Sequence, residues 1–320
     1  MKVLITGITG FIGSEVARRL VNEGDYEVYG LVRVNSNSNT FEPIMDILDK
    51  VDIRYGNFTD FHSMKKIVKD VSPQFILHIG AQTSVRHSFE LPMEFNEVNY
   101  QGTINLIHAA LELNSFKKFI FASTMETYGW QKEKKPFKED LPLNPASPYA
   151  ASKVACETYI RMAQRAFGLP YIISRACNTY GRKNNTGFVT EYITTTMLKN
   201  KTIYLGTPNS VRDMMYVDDH VNAYLAMLKS NVVNETFNFG TGSKTPMKEI
   251  AERLRRIIGF KGKIVHNFPP AYPWRPVVEE FLSLDAGKAK KQLGWAPKYD
   301  LGEGLKKTVD YWKQKLNVTA

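Results

Sequence analysis

Cysteine is scarce in this chain of 320 residues, which contains only Cys156 and Cys177. Two thiols make neither a disulfide framework nor a cysteine-rich metal centre, and we expect both to be ordinary interior residues. Long apolar runs are also lacking, since none approaches the roughly 20 residues that a membrane-spanning helix needs. Strand-like patterning begins at Val3 and reaches a glycine turn at Gly7, so we expect no signal peptide. We therefore expect a cytosolic protein with no membrane partner and no bound metal.

Acidic residues are in the minority: 42 Lys and Arg face 32 Asp and Glu, and the formal charge is +10. A nucleic-acid surface would gather basic residues on one element beside aromatic partners. Here they are spread along the chain, with short interrupted clusters at Lys132–Lys138 and Lys288–Lys291. We expect a solvated basic surface and no nucleic-acid partner; the alternative is attraction of ligands that carry several phosphates.

Apolar runs typical of buried strands alternate with amphipathic helical stretches through the first half of the chain. The predicted strands are Lys2–Ile5, Val28–Val32, Asp52–Tyr55, Phe75–Ile79, Phe119–Ala122 and Tyr171–Arg175. The predicted helices are Ser14–Asn22, His62–Val71, Asn96–Leu113 and Tyr149–Phe167. This alternation predicts an α/β protein with a Rossmann-type, doubly wound parallel sheet covered on both faces.

The pattern loosens into shorter elements after Asn178. We predict a mainly dinucleotide-binding Rossmann domain over residues 1–178 and a smaller, mainly substrate-binding lobe over residues 179–320. Some strands and helices of the second part are expected to return to the first domain. A cleft between two such lobes is the expected ligand site.

A glycine-rich turn, Gly7–Gly13, follows the first predicted strand and opens the first predicted helix. In this context the first glycine permits a tight turn, the second lets the backbone approach a pyrophosphate, and the third allows close helix–strand packing. The helix N-terminus stabilises the bound anion. We predict cofactor contacts from Gly7, Thr9, Gly10, Phe11, Ile12 and Gly13.

The choice of cofactor is read at the end of the second strand, where NAD enzymes usually place a carboxylate for the ribose 2′-hydroxyl. The segment Gly30–Ser36 contains no acid, and Arg33 could bind a 2′-phosphate instead. We predict NADP, with NAD as the alternative if Arg33 is only a solvated residue.

Tyr149 and Lys153 lie one helical turn apart in the predicted helix that follows the turn-forming segment Asn144–Pro148. A nearby ammonium and a nicotinium ring would lower the pKa of the phenol and let it act as a base. The hydroxyl of Thr124 stands at the end of a predicted strand, where it could orient a substrate hydroxyl. Thr124, Tyr149 and Lys153 form a set that can remove hydride and proton from a secondary alcohol.

With these motifs the chain resembles the extended short-chain dehydrogenases that modify sugar nucleotides, and within them most resembles the GDP-mannose 4,6-dehydratases. The likeness extends to Tyr26–Arg33, Gly80–Val85, Gly187–Thr190, Trp274–Pro276 and Lys290–Trp295. It implies a homodimer formed through two long helices, or a homotetramer, and a sugar-nucleotide substrate. It also implies cofactor contacts at Asn57, Phe58, Ala81, Gln82, Asn99, Tyr149 and Lys153. The implied substrate contacts are Ser84, Thr124, Glu126, Asn178, Val189, Arg212 and Arg275.

Glu126 is the residue that favours dehydration, because a 4,6-dehydratase must remove the C5 proton and similar dehydratases use a glutamate at this position. Simple 4-epimerases carry no carboxylate there. The alternative is that Glu126 is a structural acid paired with an arginine. Asn178, Arg212 and Arg275 resemble the family residues that hold the substrate diphosphate; arginine suits this because its planar fork binds phosphate oxygens bidentately.

Two departures from the dehydratase pattern leave alternatives open. Met125 stands where dehydratases usually carry aspartate or serine, and a thioether cannot donate a proton to the departing C6 hydroxyl; Glu126 itself or an ordered water would have to do so. Glu191 and Tyr192 stand where GDP-mannose dehydratases tend to carry basic residues, which leaves the nucleobase and the sugar undecided. A 4-epimerase is the first alternative, followed by a decarboxylase, a 4-keto reductase and a non-catalytic dinucleotide sensor.

Overall fold

The computed structural model of the chain describes residues 1–34, 38–268, 276 and 278–318. Its strands, in chain order, are β1 Lys2–Thr6, β2 Glu27–Val32, β3 Asp52–Tyr55, β4 Phe75–His78, β5 Lys118–Thr124, β6 Tyr171–Ala176, β7 Asn178–Tyr180, β8 Ile203–Tyr204, β9 Val211–Arg212, β10 Met214–Tyr216, β11 Glu235–Phe239, β12 Thr245–Pro246, β13 Ile264–Val265 and β14 Phe281–Leu282. Its α-helices are α1 Phe11–Glu23, α2 Phe61–Val71, α3 Val85–Glu90, α4 Pro92–Phe95, α5 Gly102–Leu111, α6 Pro148–Phe167, α7 Val189–Leu198, α8 Val217–Lys229, α9 Met247–Ile258, α10 Gly287–Leu293 and α11 Leu301–Lys315. Two 3₁₀ segments cover Ser38–Lys50 and Met125–Thr127, and a π-helical turn covers Asn96–Gln101.

The central sheet has seven parallel strands in the order β11-β6-β5-β4-β1-β2-β3. From β1 the chain first adds strands on one side and then, from β4 onward, on the other. The strand order therefore reverses between β1 and β4, and a crevice opens there at the carboxyl ends of the strands. The predicted Rossmann-type parallel sheet is confirmed.

Helices cover both faces of this sheet, as the apolar character of its strands requires. On one face α1 and α8 pack over Val3, Ile5 and Phe237. On the other face α2, α5 and α6 pack over Leu4 and Ile76. Neighbouring residues of β1 thus belong to different cores, as the two-residue period of a strand dictates.

A smaller lobe is built mainly after β6. Its own core lies among α7, α9 and α11 and contains, among others, Ile193, Met197, Ile250, Leu254 and Leu305. This lobe also contains three small sheets, in which β7 pairs with β10, β8 pairs with β13, and β9 pairs with both β12 and β14. Helix α8 and strand β11 return to the large sheet, while the division at residue 178 stays a prediction.

The structure differs from the sequence prediction at several elements, among them the 3₁₀ segment Ser38–Lys50 and helices α3 and α4, which were not predicted. The stretch predicted as one helix over Asn96–Leu113 begins with the π-helical turn before it becomes α5. The seventh strand, β11, was not predicted, because it is short and its polar residues alternate with Phe237 and Phe239. Within the described residues no helix is both long enough and apolar enough to cross a membrane.

Candidate active site

The glycine-rich turn forms a tight cradle between β1 and α1. Gly7 has a φ of 70°, and a Cβ atom there would lie 2.7 Å from the Cα atom of Gly80. A Cβ atom on Gly13 would overlap the carbonyl oxygen of Gly7, so close packing of helix on turn requires glycine there. Gly10 precedes α1 and offers no side-chain cap, which leaves the first N–H groups of the helix available to an anion. Thr9, Phe11 and Ile12 complete the cradle and are partly exposed.

A buried chain of hydrogen bonds supports this cradle from below. The Thr6 hydroxyl accepts from the Gly80 N–H at 3.0 Å and bonds to Nδ1 of His78 at 2.8 Å. Nε2 of His78 lies 3.0 Å from the Thr103 hydroxyl, which donates to the Asn99 carbonyl oxygen at 2.5 Å. Burial lowers the pKa of His78 to about 3, so the ring is neutral. The Thr103 hydroxyl donates to Asn99 and so accepts from the ring, which fits a proton on Nε2 of His78. Sequence reasoning missed this network, since its members are far apart in the chain.

Asn99 connects the network to the long helix α6. Its Oδ1 accepts from the Gln82 N–H at 2.8 Å, and its Nδ2 donates to the Gln82 carbonyl oxygen at 3.0 Å. Nδ2 also donates to the Ser152 hydroxyl at 3.0 Å, which in turn donates to the Tyr149 carbonyl oxygen at 2.7 Å. The residues after β4, including Ala81, are thereby fixed against the start of α6. The wide turn that carries Asn99 is the π-helical one, a feature frequent at functional sites.

The structure brings Thr124, Tyr149 and Lys153 together at the carboxyl end of β5. Helix α6 starts sharply because the Ser147 hydroxyl accepts from the Ala150 N–H at 3.1 Å, which places Tyr149 in the first turn. The Thr124 side chain is close enough to the Tyr149 phenol to lower the pKa of Tyr149. One turn further on, Nζ of Lys153 donates to the Ala122 carbonyl oxygen at 2.9 Å. Both Tyr149 and Lys153 are buried.

The electrostatics of this set differ from the expectation that the phenol is easily ionised. Burial raises the pKa of Tyr149, and the charge of Glu126 raises it further, while the Thr124 side chain lowers it. Burial also lowers the pKa of Lys153 to about 8. In the protein alone, burial therefore outweighs the groups that lower the Tyr149 pKa. The expectation that an ammonium and a nicotinium ring together lower this pKa stays a prediction for the enzyme with its cofactor bound.

Glu126 lies directly beside this set. It belongs to the 3₁₀ segment that follows β5, and its N–H donates to the Thr124 hydroxyl at 3.3 Å. The preceding residue, Met125, is 1% exposed and packs in the large hydrophobic core. The side chain of Met125 is thus turned into the core while the charge of Glu126 acts on Tyr149.

A buried ion-pair network, also missed from the sequence, holds the end of β5 against α6. Glu157 accepts from Nε of Arg175 at 3.0 Å and from Nη2 at 2.6 Å, a bidentate pair. It also accepts from the Ser123 hydroxyl at 2.6 Å. Burial by itself would raise the pKa of Glu157, but its hydrogen bonds and charge contacts, chiefly with Arg175, hold that pKa below its ordinary value. Ser123 immediately precedes Thr124, so the network fixes the residue from which the site is built.

The described residues that the resemblance implies for the substrate lie on several different elements. Asn178 begins β7, Val189 begins α7, and Ser84 precedes α3 with its hydroxyl accepting from the His87 N–H at 3.4 Å. Arg212, on β9, is 8% exposed, and its Nη1 donates to the Val211 carbonyl oxygen at 2.9 Å. Arg275 lies outside the described residues.

The buried carboxylate of Glu191 stabilises a turn through hydrogen bonds to its backbone. It is fully buried in α7 and accepts from the N–H groups of Gly181 at 2.8 Å and Arg182 at 2.9 Å. The acidic residue found where relatives tend to be basic thus stabilises the backbone of the second lobe.

The end of β2 lacks a carboxylate in the described residues, and Arg33 is exposed there. Residues 35–37, which belong to the same segment, lie outside the described residues. After β3, Asn57 is exposed and the Phe58 ring packs edge-on to His78 at 5.3 Å. These positions border the same side of the crevice as the glycine cradle.

No cluster of side chains suited to a metal ion occurs in the part of the chain that the structure describes. Asp219 accepts from the N–H groups of Lys298 at 2.9 Å and Tyr299 at 3.0 Å. It joins α8 to the segment before α11. Cys156 and Cys177 are buried and free, as expected.

A glycine cradle at the start of α1, a Thr–Tyr–Lys set at the end of β5 and the start of α6, and a parallel sheet of seven strands define an extended short-chain dehydrogenase/reductase fold. The sequence model of the GDP-mannose 4,6-dehydratase family matches residues 4–308. A protein of Methanocaldococcus jannaschii, provisionally named as a UDP-glucose 4-epimerase, is 34% identical over 317 residues, which cover 97% of this chain and 98% of that protein.

Two solved structures resemble this one over nearly the whole chain. A UDP-glucose 4-epimerase of Thermotoga maritima, crystallised with UDP-glucose, has a TM-score of 0.89 at 32% identity, covering 99% of this chain and 100% of that one. A dTDP-glucose 4,6-dehydratase of Bacillus anthracis, in complex with NAD, has a TM-score of 0.87 at 25% identity, covering 99% of this chain and 98% of that one.

The chain belongs to the GDP-mannose 4,6-dehydratase family, among the NAD-dependent epimerases and dehydratases. It is therefore an enzyme of the group that contains sugar-nucleotide 4,6-dehydratases and 4-epimerases.

Proposed function

We propose that the protein is a sugar-nucleotide 4,6-dehydratase that converts a nucleoside-diphosphate hexose, GDP-mannose being the first candidate, into the 4-keto-6-deoxyhexose. The observation that carries this proposal is the position of Glu126, whose carboxylate acts on the Tyr149 phenol. Inversion at C4 needs one acid–base group and a hydride carrier. A second acid–base group, the Glu126 carboxylate at the end of β5, suits a reaction that must also deprotonate C5.

The first part of the reaction is assigned to Thr124, Tyr149 and Lys153. When bound, the nicotinamide would supply a reversible acceptor for hydride from C4 of the sugar. Tyr149 would take the proton of the C4 hydroxyl, and the hydroxyl of the neighbouring Thr124 would hold that group in place. The hydrogen bond from Lys153 to Ala122 fixes α6 against β5, which keeps the phenol in place.

The second part is assigned to Glu126. Once C4 is a ketone, the C5–H bond is acidified and the Glu126 carboxylate would take that proton. The same proton would then go to the C6 hydroxyl, which leaves as water as the C5–C6 double bond forms. Because Met125 is packed in the core, Glu126 would act as both base and acid. Return of hydride to C6 and of a proton to C5 completes the turnover with no net oxidation.

For the cofactor we propose NADP in preference to NAD. Support comes from exposed Arg33 and from the absence of a carboxylate at the described end of β2. The Bacillus anthracis dehydratase is a complex with NAD, so NAD is the alternative to be measured beside NADP.

A 4-epimerase is the second candidate, and Met125 favours it. A buried thioether at that position leaves the departing hydroxyl one acid fewer than dehydratases usually provide. The Thermotoga maritima and Methanocaldococcus jannaschii proteins, both named for epimerase activity, are also more similar in sequence than the Bacillus anthracis dehydratase.

Turnover of GDP-mannose, dTDP-glucose and UDP-glucose in deuterated water separates the two candidates. A dehydratase product has lost one water and carries solvent deuterium at C5. In Glu126→Gln, oxidation at C4 should survive while elimination stops, so reduced cofactor and a 4-keto sugar accumulate together. A product of unchanged mass, inverted at C4 and without carbon-bound deuterium, would refute the dehydratase assignment and establish the epimerase.

A further inference from the structure

Arg182 lies between the two lobes, in the turn that leads from β7 to α7. Its guanidinium carbon is 3.4 Å from the centre of the Phe188 ring and 4.4 Å from the centre of the Phe11 ring. Phe11 is the first residue of α1, and Phe188 immediately precedes α7. One planar cation therefore links the glycine cradle of the first lobe to the substrate side of the second.

The two helices that meet at Arg182 both begin without a side-chain cap. Gly10 before α1 and Phe188 before α7 make no capping hydrogen bond from a side chain. Uncapped first-turn N–H groups and the helix dipole attract anions. Arg182 adds a full positive charge between these two helix starts.

Among the described residues, the Arg182 guanidinium makes one hydrogen bond, so most of its N–H groups can donate to a ligand. Its Nη1 donates to the Thr179 carbonyl oxygen at 2.6 Å, and its other guanidinium N–H groups have no acceptor among the described residues. Burial lowers the pKa of Arg182 to about 10, so the group is still a cation at neutral pH. The carboxylate of Glu191 bonds to backbone N–H groups and forms no ion pair with the Arg182 guanidinium.

The charge of Glu191 does act on Arg182 and raises its pKa, but the other titratable neighbours that the structure describes form no ion pair with the guanidinium. Burial, together with the charge of Arg182, lowers the pKa of His220 to about 3, so this ring is neutral. The next residue, Lys183, points elsewhere: its Nζ pairs with Glu15 at 2.6 Å. A partly buried guanidinium with free donors, in contact with two aromatic rings, is well suited to the oxygens of a phosphate.

We propose that Arg182 is a binding residue for a diphosphate ester, donating from its free N–H groups to phosphate oxygens that lie at the starts of α1 and α7. The inference rests on the proposed function, because a dinucleotide and a sugar nucleotide are the two diphosphate esters that such an enzyme holds in this cleft. It adds a residue to the Asn178, Arg212 and Arg275 set inferred from sequence.

The test compares Arg182→Gln with wild type in calorimetric titrations of the full-length protein. One arm uses NADP and NAD, and the other uses GDP-mannose, dTDP-glucose and UDP-glucose, each at low and at high salt. Loss of a charge-assisted hydrogen bond should weaken binding by about 10- to 100-fold in at least one arm. The loss should shrink at high salt, since the removed interaction is between charges. The arm that weakens identifies whether the diphosphate belongs to the cofactor or to the sugar nucleotide.

Lys183→Gln is the matched control, because it removes one positive charge from the adjacent residue, whose ammonium pairs with Glu15. It should leave both affinities within about twofold. Arg182→Lys keeps the charge but not the planar fork, and should weaken the same arm by about threefold to tenfold. This variant serves alone if thermal unfolding shows that glutamine is not tolerated.

Unchanged affinities in both arms would overturn the proposal, as would equal, salt-independent losses in the glutamine and lysine variants, which indicate packing alone. Neither result depends on the reaction catalysed. Conversely, wild type that inverts C4 without losing water contradicts the dehydratase assignment and leaves the role of Arg182 intact.

Discussion

Replacing one partner of the buried Glu157–Arg175 pair should destabilise the protein strongly. Glu157 is fully buried and Arg175 is 2% exposed, and two hydrogen bonds of 3.0 and 2.6 Å join them. Glu157→Gln keeps the size of the side chain but leaves the guanidinium without its buried counter-charge. Breaking a buried pair in this way costs about 3–5 kcal/mol of unfolding free energy.

The double substitution Glu157→Gln with Arg175→Met should cost less than the sum of the two single substitutions, by about 2 kcal/mol or more, because neither charge is then left alone. Urea-induced unfolding of all four proteins gives the four free energies. The control is the exposed helical pair of Arg253 and Glu249, joined at 2.7 Å, where Glu249→Gln should cost below about 0.5 kcal/mol. Strict additivity in the cycle, or a cost for Glu157→Gln no larger than that control, would contradict the reasoning.

The Glu157–Arg175 pair also predicts how the stability of the protein changes at acidic pH. The pKa of Glu157 lies below its ordinary value of 4.5, because its contacts with Arg175, Arg161 and Ser123 outweigh the effect of burial. A depressed pKa means that the stabilisation is present above the unfolded-state pKa and is lost as pH falls through the folded-state pKa. Wild type should therefore lose stability below about pH 4.5 more steeply than Glu157→Gln. The measurement is the unfolding free energy in urea at a series of acidic pH values. If it falls equally with pH in wild type and in Glu157→Gln, Glu157 is not ionised in the folded protein.

Three further predictions concern the site itself. Tyr149→Phe should keep cofactor affinity and reduce turnover by about 100-fold or more, and near-normal turnover would exclude Tyr149 as the acid–base group. Arg33→Ala should weaken NADP while leaving NAD unchanged; equal wild-type affinities that do not respond to the substitution would remove the argument for NADP. In Glu126→Gln, the acid limb of the oxidation half-reaction, followed by the absorbance of reduced nicotinamide, should move to lower pH, because Glu126 raises the pKa of Tyr149. A limb that stays in place or moves upward would show that the Glu126 charge does not act on the phenol.

The parts of the molecule that follow from short-range sequence patterns were accessible without the structure. The strand that leads into Gly7–Gly13 predicted the cradle, because turn, helix start and close packing are all encoded within a few neighbouring residues. Tyr149 and Lys153 could be placed on one helix face from their spacing alone.

What escaped prediction depends on contacts between distant parts of the chain. Thr6 meets His78 across 72 residues, and Arg19 meets Asn222 across 203. Arg182 gave no signal in the sequence, since its significance comes from the rings that two different lobes place around it. Burial is likewise a property of the assembled fold, and for this reason the direction of the Tyr149 pKa shift could not be read from the Tyr–Lys spacing.

That direction has a consequence for how such a site works. Burial and the charge of Glu126 both keep the Tyr149 phenol protonated, and Lys153 directs its ammonium to the Ala122 carbonyl oxygen. Within the protein the Thr124 side chain lowers the phenol pKa, and it does not outweigh the other two effects. Under the proposed function, the opposing contribution would come from the positive charge of an oxidised nicotinamide. A Tyr149 base that became competent only beside that charge would take the proton of the C4 hydroxyl when hydride can leave, and would regain its preference for the proton once hydride had been transferred.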